Sequence, residues 1–223
     1  MVAVAHTMES ASQRTCVRVR IRDVLVTRIL DGTYPAGMRL KELTLAREFG
    51  VSQAPIREAL RELEGSGLVR SERYRGTRVR GADYQEIRES YELRGLMEER
   101  ALQLAAPFSR ELAEELTART RSMASAIEER NPERYIDEAL AYHRRLIEAS
   151  GNQTFLVVWD FLHWNVRGRV VLRRIAQAGG GGLKPFLDLH RALNSRIRAG
   201  DLRGATDKVR AILQRVTGVL SRD

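Results

Sequence analysis

The stretch KELTLAREFGVSQAPIREALRELEG, residues 41–65, decides the fold. Its first part, Lys41 to Phe49, reads as a helix that stops at Gly50. Gly50-Val51-Ser52 then makes a tight turn, and Ser52 is placed to cap a second helix. There Ile56, Ala59, Leu60 and Leu63 recur at i, i+3, i+4 and i+7, which makes one apolar face. Gln53, Arg57 and Arg61 fall on the opposite face. Helix, glycine turn and helix is the layout of a helix-turn-helix. An outward Gln and Arg near a helix N-terminus suit the base edges of a major groove: Gln pairs bidentately with adenine, Arg with guanine or a phosphate. The capped N-terminus itself favours an anion. Arg57 has an alternative as a surface partner of Glu64 or of the residues around Glu58.

Working outward, a short helix is predicted from about Val17 to Asp31, with Ile21, Val24, Leu25, Ile29 and Leu30 on one face. Asp31-Gly32 and Pro35-Ala36-Gly37 punctuate the chain beyond it. After Gly65 and Gly67 come two short strands, near Leu68 to Glu72 and Thr77 to Val79, around Tyr74-Arg75-Gly76. This hairpin gathers Arg73, Arg75, Arg78 and Arg80, and Gly76 lets the backbone come close to a duplex. Arg75 is the candidate for the minor groove or its phosphates. Thr44, Ser52, Gln53, Ala54, Arg57, Arg75, Gly76 and Thr77 form the expected DNA-facing set. Charge agrees. The 223-residue chain carries +9, and Val17 to Arg80 holds 14 Lys and Arg against 8 Asp and Glu. Such a balance favours a polyanion, although a solvated arginine-rich surface gives the same count.

From Asp83 onward strand signals vanish. Helices are predicted near 84–106, 109–129, 132–149, 153–176, 184–199 and 202–221, with Gly179 to Gly182 as a connector. The expected architecture is mainly α: a winged helix-turn-helix at 17–81 and an all-helical bundle at 82–223. Residues 1–16 are polar and aperiodic and are expected to be a disordered tail. No run of eighteen apolar residues and no secretory signal is visible, and Cys16 is the sole cysteine. A cytoplasmic protein without membrane contact is therefore expected.

The stretches Asp31 to Leu40, Leu45 to Glu64 and Gly67-Leu68-Val69 closely resemble the GntR family of bacterial regulators. The resemblance implies that Arg57 contacts DNA, and that Arg75 and Gly76 sit at the wing. Leu43 and Gln53 stand where family members often carry Arg, or Arg or Lys, so the preferred operator is expected to depart from the usual palindrome. Tyr91-Glu92-Leu93-Arg94 with Glu98, Tyr142-His143 with Glu148 to Asn152, and His190 with Ala199-Gly200-Asp201 resemble the FCD effector domain of the FadR-like branch. That implies a homodimer on a palindromic double-stranded operator, and a helical bundle enclosing a small-molecule pocket. In that family the pocket often holds a divalent metal that binds a carboxylate effector.

The family's metal set is one Asp and three His. His143 and His190 match two of them. Ala139 stands where the Asp is expected, and Ile212 where the third His is. Two imidazoles and waters would hold a metal weakly, since stable sites take three or four protein ligands. The expectation is therefore a pocket without a certain cofactor, in which His143 and His190 hydrogen-bond the effector; ordinary buried histidines are the alternative. Arg94 is the candidate clamp for a carboxylate, or else pairs internally with Glu98. Glu98 and Asn165 complete the expected effector set, with His163 and Trp164 beside Asn165 on helix 153–176, while Trp159 and Phe161 are expected in the core.

The leading functional class is a ligand-responsive DNA-binding regulator, of repressor type, controlled by a small carboxylate-bearing metabolite. An enzyme is a second class, but no nucleophile motif or phosphate loop supports it. A constitutive DNA binder with a decayed pocket is the third.

Overall fold

The computed structural model describes residues 17–72, 76–177 and 182–220. The chain divides into two compact units, one ending at Asp83 and one beginning at Tyr84.

In the first unit helix α1 covers 17–30, then come β1 (Arg39–Leu40), α2 (Glu42–Phe49), α3 (Gln53–Gly65), β2 (Val69–Glu72) and β3 (Gly76–Val79). The predicted periodicity is observed: Ile56, Ala59, Leu60 and Leu63 of α3 are all buried, with Ile21, Leu25 and Val26 of α1 and Leu45 of α2. Burying each such side chain stabilises by about 1.5–3 kcal/mol relative to leaving it in water. The strands form an antiparallel sheet in the order β1-β3-β2, with Arg39 opposite Arg78 and Arg70 opposite Arg78 from the other side. Strand β1 is an addition to the expected hairpin. Two residues are too few to show an alternation, and Leu40 is buried beside β3.

The second unit is a bundle of α4 (Tyr84–Ala105), α5 (Arg110–Glu128), α6 (Pro132–Ala149), α7 (Gln153–Phe161), α8 (Trp164–Gln177), α9 (Lys184–Arg198) and α10 (Leu202–Leu220). Helix α6 packs against α5, α4 and α8; α10 packs against α9 and α4. The starts have local causes. Ser109 accepts the N–H of Leu112, Asn131 that of Arg134, with Pro132 in the first turn, and Asn152 those of Thr154 and Phe155.

One predicted helix is wrong. The span 153–176 is two helices, broken at Leu162 and His163, and His163 has φ +50°. The break has a packing reason. Trp159 and Trp164 are five residues apart, so a continuous helix would aim them about 140° apart. With the break both rings lie beside Arg94, their centroids 5.4 and 5.2 Å from its guanidinium carbon. Trp159 is buried as expected, but Phe161 is 77% exposed and not core.

Candidate functional site

Two groups of residues matter, one in each unit. In the first, Gly50 takes φ +65° and hands the chain from α2 to α3, with the Val51 N–H donating to the Ala46 carbonyl. A side chain bearing a Cβ would be strained there. Ser52 occupies the N-cap position of α3, but its side chain accepts no capping N–H, contrary to expectation. Thr44, Ser52, Gln53, Ala54 and Arg57 are all exposed, as are Leu43 and Arg61. Thus the turn and first two turns of α3 present one exposed face, polar except at Leu43 and Ala54.

Arg57 is not alone on that face. Its Nε donates to Glu42 Oε1 and Oε2 at 3.2 and 3.1 Å, and its Nη2 to Oε2 at 2.8 Å. Glu64, the partner that the sequence suggests for Arg57, instead accepts the Ser71 N–H at 2.7 Å. At the wing, Gly76 has φ +81°, and a Cβ there would meet the Arg39 Nε at 3.2 Å. Arg75, with Arg73, lies outside the described residues. Arg78 donates to the Gly37 carbonyl at 2.9 Å, and Arg80 pairs with Asp83 at 3.1 Å. Thr77 is a correction: its side chain is buried, and its hydroxyl bonds Ser71 Oγ at 3.1 Å. Along β3 it points inward with Val79, away from the outward Gly76 and Arg78.

The second group is a buried chain of polar contacts joining α4, α6 and α9. Arg94 Nε donates to Glu98 Oε1 at 2.6 Å, and Glu98 Oε2 meets His143 Nδ1 at 2.9 Å. His143 Nε2 lies 3.1 Å from His190 Nε2, and His190 Nδ1 donates to the Phe186 carbonyl at 2.6 Å. Glu98 is fully buried, and Arg94, His143 and His190 nearly so. Rings of Tyr91, Trp159 and Trp164 box the Arg94 guanidinium at 5.0, 5.4 and 5.2 Å. Cation–π attraction and the Glu98 pair together hold that buried charge. Tyr142 stacks edge-on against both histidines and donates to Asn194 at 2.7 Å.

Burial alone would raise the Glu98 carboxyl, but His143 and Arg94 outweigh it and hold it at about 2. Burial pulls His143 below its ordinary value, with Glu98 opposing. Burial, then the neighbouring His143, brings His190 to about 3. His190 is thus neutral near pH 7 and carries one N–H. The Glu98 carboxylate and the Phe186 carbonyl can only accept, so each Nδ1 atom carries a proton. His190 Nε2 is then a bare acceptor, and it lies within hydrogen-bond distance of His143 Nε2.

These shifts make stability depend on pH. The unfolded chain protonates His190 below pH 6.5, and the folded chain only near 3. Stability is therefore full above pH 6.5 and lost as pH falls below it; Glu98 adds loss of the same sign below 4.5. Calorimetry from pH 7.5 to 5 should show a falling midpoint, and a shallower fall for His190→Gln.

Arg94, His143 and His190 line a small cavity with Tyr91, Leu140 and Phe186, and its volume is about 20 Å³. That is room for about one water molecule. Ala139 and Ile212 also line it, so the positions where further ligands were expected present methyl groups to the cavity. Among the described residues no group of three or more His, Cys, Asp or Glu is arranged to hold a metal ion. The available donors are two imidazole nitrogens, which do not fit a resident divalent metal. Asn165 is a second correction. It does not line the cavity, and its side-chain oxygen accepts the Val166 N–H at the start of α8. The sequence pattern gives no sign of the box around Arg94 or of the Glu42 partner of Arg57.

A winged helix-turn-helix followed by a helical bundle with a small, mainly apolar cavity that three basic side chains reach is the architecture of a DNA-binding regulator. A family model described as "Bacterial regulatory proteins, gntR family" matches residues 18–79, and one described as "FCD domain" matches residues 89–215. A protein of Paenarthrobacter nicotinovorans named "Probable D-xylose utilization operon transcriptional repressor" is 31% identical over 84% of this chain and 81% of its own length. The gluconate operon transcriptional repressor of Bacillus licheniformis is 31% identical over 67% of this chain and 61% of its own length. Among solved structures, E. coli McbR/YncC shares the fold with a TM-score of 0.72 at 20% identity, over 92% of this chain and 96% of that one. The chain belongs to the GntR family of bacterial transcriptional regulators and carries an FCD domain after its helix-turn-helix. Among the described residues, no helix is long and apolar enough to cross a membrane.

Proposed function

We propose that this protein is a repressor that grips a palindromic operator as a homodimer and responds to a small hydroxycarboxylate without a resident metal. The observation that carries the ligand reading is Arg94. Its Nε serves Glu98 and its Nη1 reaches the Tyr91 hydroxyl at 3.3 Å, which leaves the Nη2 edge for a carboxylate at the cavity. The bare Nε2 atom of His190 is an acceptor for an adjacent hydroxyl. A cavity of about 20 Å³ cannot hold such an acid as it stands. Binding therefore selects a more open packing of α4, α6 and α9, and α4 comes directly after the winged unit in the chain. Effector and operator affinities are then linked reciprocally.

For the homodimer, exposed Leu93, Leu96 and Leu104 on α4 and Val157 and Phe161 on α7 supply apolar surface suited to a second copy. In such a dimer the two α3 helices address half-sites about one helical turn apart, or a multiple of it.

The operon names of two relatives make gluconate and D-xylose informative probes. Isothermal titration of EDTA-dialysed protein with a panel of small hydroxy acids, gluconate included, and with xylose tests the reading. An acid is expected to bind once per protomer, and Arg94→Met is expected to abolish that binding. Stoichiometric metal surviving dialysis and required for binding would overturn the metal-free reading.

A further inference from the structure

The face that is to meet DNA contains a carboxylate that grips its leading arginine. Glu42 opens α2 and Arg57 lies in the second turn of α3, 15 residues later. Their side chains are 32% and 52% exposed, so the pair sits at the surface and not in the core. A lone carboxylate near a phosphate backbone repels it, which gives its presence there an electrostatic cost. The bonding pattern supplies the compensating benefit. Glu42 takes the Nε hydrogen and one Nη2 hydrogen of Arg57, the side-on fork of the guanidinium. The end-on fork, one Nη1 and one Nη2 hydrogen, is not engaged by Glu42, and such a fork can match guanine O6 and N7. A long arginine held this way has lost its rotamer freedom before it meets DNA. The neighbouring positions raise the stake on its aim. Gln53 is uncharged and Leu43 is apolar, so Arg57 is the first cation along α3.

We propose that Glu42 is a positioning residue for operator recognition: it fixes Arg57 end-on, and so sharpens base discrimination at the expense of total affinity. This rests on the reading of α3 as the recognition element.

The test uses the full-length protein and two duplexes of equal length. One is selected by the wild type from a randomised pool, and the other is its scrambled counterpart. Affinities are read by fluorescence anisotropy for wild type, Glu42→Ala, Glu42→Gln, Arg57→Ala and the double variant. Arg57→Ala should lose at least about tenfold on the selected duplex. Glu42→Ala should lose up to about fivefold per half-site there, the value of an exposed ion pair, while binding the scrambled duplex as tightly or more tightly. Glu42→Gln keeps an acceptor for Nε and should retain most selectivity; it also carries the test if the alanine variant melts early. In the Arg57→Ala background, Glu42→Ala should cause no further loss. Parallel tightening on both duplexes would overturn the proposal and make Glu42 a merely repulsive charge. So would an equal loss on both, or a full loss that persists without Arg57. Wild-type affinity of Arg57→Ala for the selected duplex would instead overturn the recognition reading beneath it.

Discussion

Replacing Arg57 by alanine is expected to remove most of this protein's preference for its own operator while leaving the fold intact. The side chain is exposed and its partner Glu42 is also at the surface, so folding stability should change by less than about 1 kcal/mol. Recognition should change far more. A good bidentate contact to a base is worth about 1–3 kcal/mol of discrimination, and the proposed dimer would make it twice, so the total would reach about 2–6 kcal/mol. Binding to the upstream region of the gene's own operon is the natural readout. Specific affinity should fall toward that for unrelated DNA, with the melting temperature unchanged. Undiminished selective binding would remove α3 from the recognition role.

The second large effect lies in the bundle. Glu98→Ala leaves the buried Arg94 guanidinium without its carboxylate and His143 Nδ1 without its acceptor. Breaking one side of a buried pair in this way costs about 3–5 kcal/mol, because the stranded charge is still out of water. For a protein of this size that lowers the midpoint by on the order of 10 °C. The aromatic box cannot compensate, since rings of Tyr91, Trp159 and Trp164 attract the cation but accept no strong hydrogen bond from Nε. Glu114→Ala is the matched control. Glu114 pairs with Arg110 on the outside of α5, where both side chains are mostly exposed, and its loss should be close to neutral. A Glu98→Ala protein that melts within about 2 °C of wild type would show that the buried network contributes little.

These two effects also mark what the sequence made legible. The helix-turn-helix is local: Gly50 permits one turn, and four apolar residues at helical spacing fix which face of α3 is outward. Arg57 therefore could be placed without coordinates. Its partner could not, because a pair 15 residues apart on two helices depends on their crossing geometry. The Arg94–Glu98 pair is an i, i+4 contact on one helix, so its possibility was visible, whereas the rings around it were not. Trp159 and Trp164 reach Arg94 only because the chain breaks at Leu162 and His163, and no Gly or Pro announces that break. Thr77 is a different case. Along β3 the period of two sets Thr77 inward with Val79 and leaves Gly76 and Arg78 outward, so its place was readable from the alternation. Ala139 and Ile212, recognised as departures from the metal pattern, do line the cavity beside both histidines.

The central claim is that a small acid at Arg94 controls what α3 does to DNA. It is tested most directly by measuring operator affinity of the EDTA-dialysed full-length protein, with and without each member of a hydroxycarboxylate panel that includes gluconate. The account predicts that one acid shifts the wild-type affinity by about fivefold or more, the usual scale of coupling between sites, and that Arg94→Met still binds the operator but no longer responds. An unresponsive wild type, or a response undiminished in Arg94→Met, would contradict it.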